Sequence, residues 1–133
     1  FKKHPSLIIE NDEVLTELVV PKPKKNQKSL FHKFAQTEND YAIVTIAITF
    51  VIADGRFSSF RSVMGGMYNP AIRLETIDDF LLGEPVPVNQ DNQLKGLLHS
   101  LPVPLMDLRY SQEYRKKVAI NLFLDLVKKM EDQ

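Results

Sequence analysis

From Val44 to Ile52 the chain alternates: Val44, Ile46, Ile48, Phe50 and Ile52 occupy the even positions, and Thr45, Ala47, Thr49 and Val51 the odd ones. Successive side chains of a strand point to opposite faces. The pattern therefore predicts a strand with one wholly apolar face and one small, mixed face. The apolar face calls for a cover of helices; the other is able to lie against another layer. Asp54-Gly55 follows, the favoured chemistry of a tight hairpin turn, in which both central positions need positive φ. The return strand is Phe57 to Met64. Upstream, "SLFHKFA" (Ser29 to Ala35) reads as a further strand. So does "DEVLTELVVP" (Asp12 to Pro21), which is rich in Val and Leu and stopped by proline.

The second half changes period. Thr76 is placed to cap a short helix, with Asp78 and Asp79 in its first turn facing the positive end of the dipole. That helix should end near Gly83, with Pro85 and Pro87 ensuring the stop. Leu94, Leu97, Leu98 and Leu101 follow the spacing of an amphipathic helix before Pro102. Ser111 then caps a longer helix whose main stripe is Val118, Leu122, Leu126 and Met130. Ala119, Phe123 and Val127 lie beside it, and Ile120 and Leu124 widen the arc. So wide an apolar surface predicts a helix wedged between the sheet and another helix. The sum is an α+β fold: a small antiparallel sheet of about three strands packed against about three helices.

Bulk properties narrow this little. The 133 residues suit one domain with its own core. Seventeen basic residues cancel seventeen acidic ones, so no overall field argues for nucleic acid. The local run "PKPKKNQK" (Pro21 to Lys28) lacks aromatics and arginine and reads as a solvated linker. The chain has no cysteine, which excludes disulfides, thiolate metal sites and iron–sulfur ligands within it and fits a reducing cytoplasm. The apolar run 42–53 is too short to span a membrane, and no signal peptide is visible.

The sequence carries no self-contained catalytic motif. There is no GxGxxG or P-loop pattern. His4, His32 and His99 are scattered and lack metal-ligand spacing. Ser58, Ser59 and Ser62 lie on a strand without the G-x-S-x-G elbow. Asp78-Asp79 is better explained by helix electrostatics than as a proton-sharing pair, because neighbours on a helix diverge. No catalytic or metal residue is assigned.

Three ordered motifs point further: "FHKFAQTENDYAIVTIAI", "MGGMYNPAIRLETIDDFLLGEPV" and "DLRYSQEYRKKVAINLFLDLV". Together they resemble the C-terminal domain of the FAD-binding subunit of molybdenum hydroxylases, the family of xanthine dehydrogenase and carbon monoxide dehydrogenase. The likeness covers residues 29–129, and "NDEVLTELVVP" resembles the end of the FAD-binding core. Residues 1–28 would then be the tail of that core plus a linker, and 29–133 the C-terminal domain. The abrupt opening on Phe1 suits a piece of a longer chain.

The resemblance implies an upstream FAD-binding core as partner, together with a molybdenum-cofactor subunit and a 2Fe–2S subunit. Electrons would pass from molybdenum through the clusters to FAD. The family's glycine-rich pyrophosphate segments are not among these residues, so the chain is expected to wall the FAD site rather than hold FAD alone. Leu15 matches a leucine of the family's flavin environment. A flavin-proximal lysine falls on Lys33 in carbon monoxide dehydrogenase-like spacing and on His32 in xanthine dehydrogenase-like spacing. Asp107, Arg109, Tyr114 and Arg115 match family positions, and a structural role is expected of them. Gly65-Gly66 is expected to allow close backbone packing where the last strand turns toward the helices. The competing reading is a free-standing, non-enzymatic α+β module for protein contact that binds no flavin.

Overall fold

The structure, a computed structural model, describes residues 12–88 and 92–130. His4 and the rest of residues 1–11 lie outside it. One antiparallel sheet carries four strands in the order β1-β2-β3-β4: β1 (Lys28–Phe34), β2 (Val44–Ala53), β3 (Arg56–Gly65) and β4 (Ile72–Arg73). Three helices cover one face: α1 (Glu75–Leu81), α2 (Asn92–His99) and α3 (Gln112–Lys129). The expected α+β architecture is present. The added strand, β4, is two residues long and carries no periodicity for a sequence pattern to register.

The β2–β3 hairpin forms at the predicted turn. Asp54 (φ 51°) and Gly55 (φ 70°) both take positive φ, as a two-residue primed turn requires. Val44, Ile46, Ile48 and Phe50 are all buried. A bulge between Val51 and Ile52 shifts the register, so that Phe57 and Phe60, three residues apart, both turn inward. Phe57 sits at the centre of an edge-to-face cluster, 5.8 Å from Phe50 and 5.1 Å from Phe60 between ring centroids.

Helix α3 lies on β2 and against α2, as its broad apolar arc predicts. Its deepest line is Ala119, Phe123, Leu126, Val127 and Met130, with Val118 and Leu122 half-buried at the margin. Ser111 caps it, accepting from the Tyr114 N–H at 3.1 Å. In α2, Leu94 and Leu98 are buried and Leu97 half-buried, as is Leu101 just beyond its end.

Three expectations need correction. Residues 12–20 form no strand, and Val14, Leu15, Leu18, Val19 and Val20 are all exposed. Their composition suits a strand, but a strand needs a paired neighbour, and none of the registers includes them. Helix α1 begins before Thr76: its N-cap is Leu74, without a side-chain cap, and Thr76 is an exposed first-turn residue. Asp78 does more than face the dipole. It is buried, and its Oδ1 accepts from the Ser62 N–H (2.7 Å) and the Ser62 hydroxyl (2.6 Å). Its Oδ2 accepts from Arg73 Nε at 3.1 Å. The carboxylate thereby stitches α1 to the edge of β3, while Asp79 is exposed.

Candidate functional site

Register places the flavin-site candidates. Phe31 pairs with Ala47, His32 with Ile46 and Lys33 with Thr45, and directly paired residues share a face. His32 therefore points to the helix side, where it is half-buried, and Lys33 to the outer face, where it is exposed. The two alternatives are adjacent in sequence yet on opposite sides of the sheet, so a single ligand surface meets one of them. Lys33 Nζ donates to the Glu38 carbonyl at 2.8 Å and has no carboxylate partner among the described residues. Leu15 is 61% exposed in the extended segment upstream and outside the core cluster.

Beside Lys33, the β1–β2 loop is built from its own polar groups. Thr37 N–H donates to Asp40 Oδ2 at 3.1 Å, and Asp40 N–H to the Thr37 carbonyl at 3.2 Å. Clefts lie on both sides of this loop. One, of 300 Å³, is lined by Lys33, Ala35, Gln36, Thr37 and Glu38. The other, of 540 Å³, runs from Phe34, Gln36 and Ile43 to Arg109, Tyr110 and Tyr114. There Tyr110 stacks on Tyr114 at 5.7 Å between centroids and donates its hydroxyl to Gln36 Oε1 at 3.2 Å.

The third motif holds this end of the molecule together. Arg115 is buried, and its guanidinium donates to the carbonyls of Leu105 (2.9 Å), Ile43 (3.4 Å) and Gly66. One side chain thus joins the loop before α3, the start of β2 and the glycine pair. Asp107 accepts from Arg109, through side chain and backbone N–H, and these bonds hold its carboxyl below the usual carboxylate range. Arg115 and the Asp107–Arg109 pair thus make structural contacts, while Tyr114 stacks on Tyr110.

The glycine pair is a packing feature too. A Cβ on Gly65 would lie 2.8 Å from Thr45 Oγ1. Gly66 has φ +80°, and its Cβ would meet the Ala42 and Ile43 carbonyls at 3.2 Å. What the sequence could not place is the Ser62–Asp78 bond, which joins residues sixteen apart and leaves no local signature. Among the described residues no group of three or more His, Asp or Glu could hold a metal, and no helix is long and apolar enough to cross a membrane.

The four-stranded antiparallel sheet with three helices on one face is the fold of flavoprotein C-terminal domains. The family pattern described as "CO dehydrogenase flavoprotein C-terminal domain" matches residues 29–130, and the chain belongs to that family. The nicotinate dehydrogenase FAD-subunit of Eubacterium barkeri is 23% identical over 137 residues, covering 98% of this chain and 46% of that protein. The chain therefore spans about half the length of that relative. Among solved structures, carbon monoxide dehydrogenase from Hydrogenophaga pseudoflava superposes with a TM-score of 0.68 at 20% identity, over 83% of this chain and 37% of the other. Quinoline 2-oxidoreductase from Pseudomonas putida 86 gives 0.60 at 20% identity, over 82% and 40%. At such identities these structures establish the shared fold.

Proposed function

We propose that this chain is the C-terminal part of the FAD-binding subunit of a molybdenum hydroxylase-type oxidoreductase. It would help to wall the FAD site and pack against the FAD-binding core, a molybdenum-cofactor subunit and a 2Fe–2S subunit. The family match over residues 29–130 carries this reading and favours it over a free-standing contact module. FAD, when bound in such a subunit, accepts electrons that leave molybdenum through the clusters and hands them to an external acceptor. The absence of cysteine suits a reducing, cytoplasmic setting.

The residues of this chain suit a wall and not a container. Lys33 is exposed, cationic and tied only to a backbone carbonyl, so its ammonium is free to turn to a phosphate or to charge on reduced flavin. Leu15 offers apolar surface alone. His32, directed to the helix side, is the weaker candidate of the adjacent pair.

The test is to purify the full-length flavoprotein containing this chain and record its visible spectrum and FAD affinity. The reading predicts a yellow protein in which Lys33→Met weakens FAD binding about tenfold, the scale of one lost charge-assisted hydrogen bond, while His32→Ala changes it little. A correctly folded full-length protein that never binds FAD would overturn the reading.

A further inference from the structure

The outer face of the sheet is not an ordinary solvated face. Phe31, Ala47, Val63 and Arg73 are mutually paired and form one row across all four strands. Phe31 is 68% exposed and Val63 39%, with the small Ala47 between them. The rows on either side carry Lys33 at one end and Arg61, opposite Thr49, at the other. Arg73 is held by Asp78, whereas the Arg61 side chain is exposed and makes no hydrogen bond or ion pair among the described residues. No outward-facing position of the four strands is an acid.

An antiparallel sheet that faces water on one side ordinarily shows it mixed polar residues of both signs. Here the apolar row is flanked by Ser29, Thr45, Thr49 and Gly65, and every charge on the face is positive, which fits the apolar centre and arginine-bearing rim of a protein interface. Small-molecule sites are concave, and none of the clefts described above is lined by Phe31, Ala47, Val63 or Arg61. A second copy of this face would bring cation against cation, which costs binding energy.

We propose that the outer sheet face is a docking surface for an acidic protein surface, with Phe31, Ala47 and Val63 at its centre and Arg61 and Lys33 at its charged rim. The partner presents carboxylates around a small apolar patch. The inference rests on the reading that the chain works within a multi-part flavoenzyme, and it names the surface that joins it there. Lys33 belongs to this face, so the flavin-proximal edge and the docking surface are continuous.

The test uses the assembled enzyme purified with this chain in wild-type, Arg61→Lys, Arg61→Glu and Ala47→Glu forms. Subunit and domain association is followed by analytical ultracentrifugation and limited proteolysis across a salt series, with the flavin spectrum recorded in parallel. We expect Arg61→Glu and Ala47→Glu to weaken association at least about tenfold at low salt, and Arg61→Lys to preserve most of it. Thermal unfolding of the chain should be unchanged in all three. Variants that assemble like wild type overturn the inference, as does a wild-type chain that dimerises through this face. Loss of flavin with assembly intact also overturns it, making the face a cofactor wall only. An enzyme that assembles through this face but never carries flavin would instead sink the functional reading and leave the docking surface standing.

Discussion

The two faces of the sheet are made by the same residues of the same strands, read alternately, and they obey different rules. On the inner face Val44, Ile46, Ile48 and Phe50 are sealed beneath the helices, and every neighbour is supplied by this chain. On the outer face Phe31, Ala47 and Val63 lie in a row with nothing from the described residues above them. The inner face is explained by folding alone: burial of apolar area orders the chain. The outer face is not needed for that purpose. Its residues lie open to what is beyond the fold, and the same alternation that builds a core on one side presents the proposed contact surface on the other.

The sharpest way to break this contrast is to empty the inner face. Phe50 is fully buried at the centre of β2, with its ring edge-to-face against Phe57. Phe50→Ala removes that contact and leaves a cavity that a packed layer cannot fully close. It should cost about 3–5 kcal/mol, measured by urea unfolding monitored by circular dichroism. A loss below about 1 kcal/mol would mean that the helices do not form a rigid cover and that the two faces differ less than they look.

Next in size is the seam between the sheet and its helical layer. Asp78 accepts the Ser62 N–H and hydroxyl on β3 while sitting in the first turn of α1. Asp78→Ala leaves a buried backbone donor unsatisfied, for a loss of about 1–3 kcal/mol. A double-mutant cycle with Ser62→Ala isolates the hydroxyl contact, since the backbone N–H stays orphaned in both backgrounds. Additive losses would show that the Ser62 hydroxyl adds nothing, leaving the stitch to the Ser62 N–H and Arg73.

That correction marks where the sequence is legible and where it is not. Alternation over Val44 to Ile52 and the Asp54-Gly55 turn are local signals, and both appear in the fold as expected. The Ser111 cap and the broad arc of α3 are likewise local and likewise present. The extended segment 12–20 has the composition of a strand, but pairing is a property of neighbours and not of composition. Asp78 faces Ser62 across sixteen positions, a contact that only the packing of α1 on β3 creates. For the flavin candidates, the resemblance singles out positions 32 and 33 together, and only the register of β1 against β2 separates them to opposite faces.

The smallest effect tests the other side of the comparison. Val63 sits mid-row on the outer face, flanked by Ala47 and Arg73, and is partly exposed. Val63→Thr keeps the β-branched shape that suits a strand and replaces one methyl by a hydroxyl that can reach water. If the outer face contributes nothing to the isolated fold, the change in unfolding free energy stays within about 0.5 kcal/mol. The same substitution in the assembled enzyme places that hydroxyl at the centre of an interface, where it must be desolvated, and should weaken association several-fold. A loss of more than about 1 kcal/mol in the chain by itself would instead show that the outer row belongs to the core. The contrast between the faces would then be one of degree, because the hydroxyl would already be shut away from water before any partner arrived.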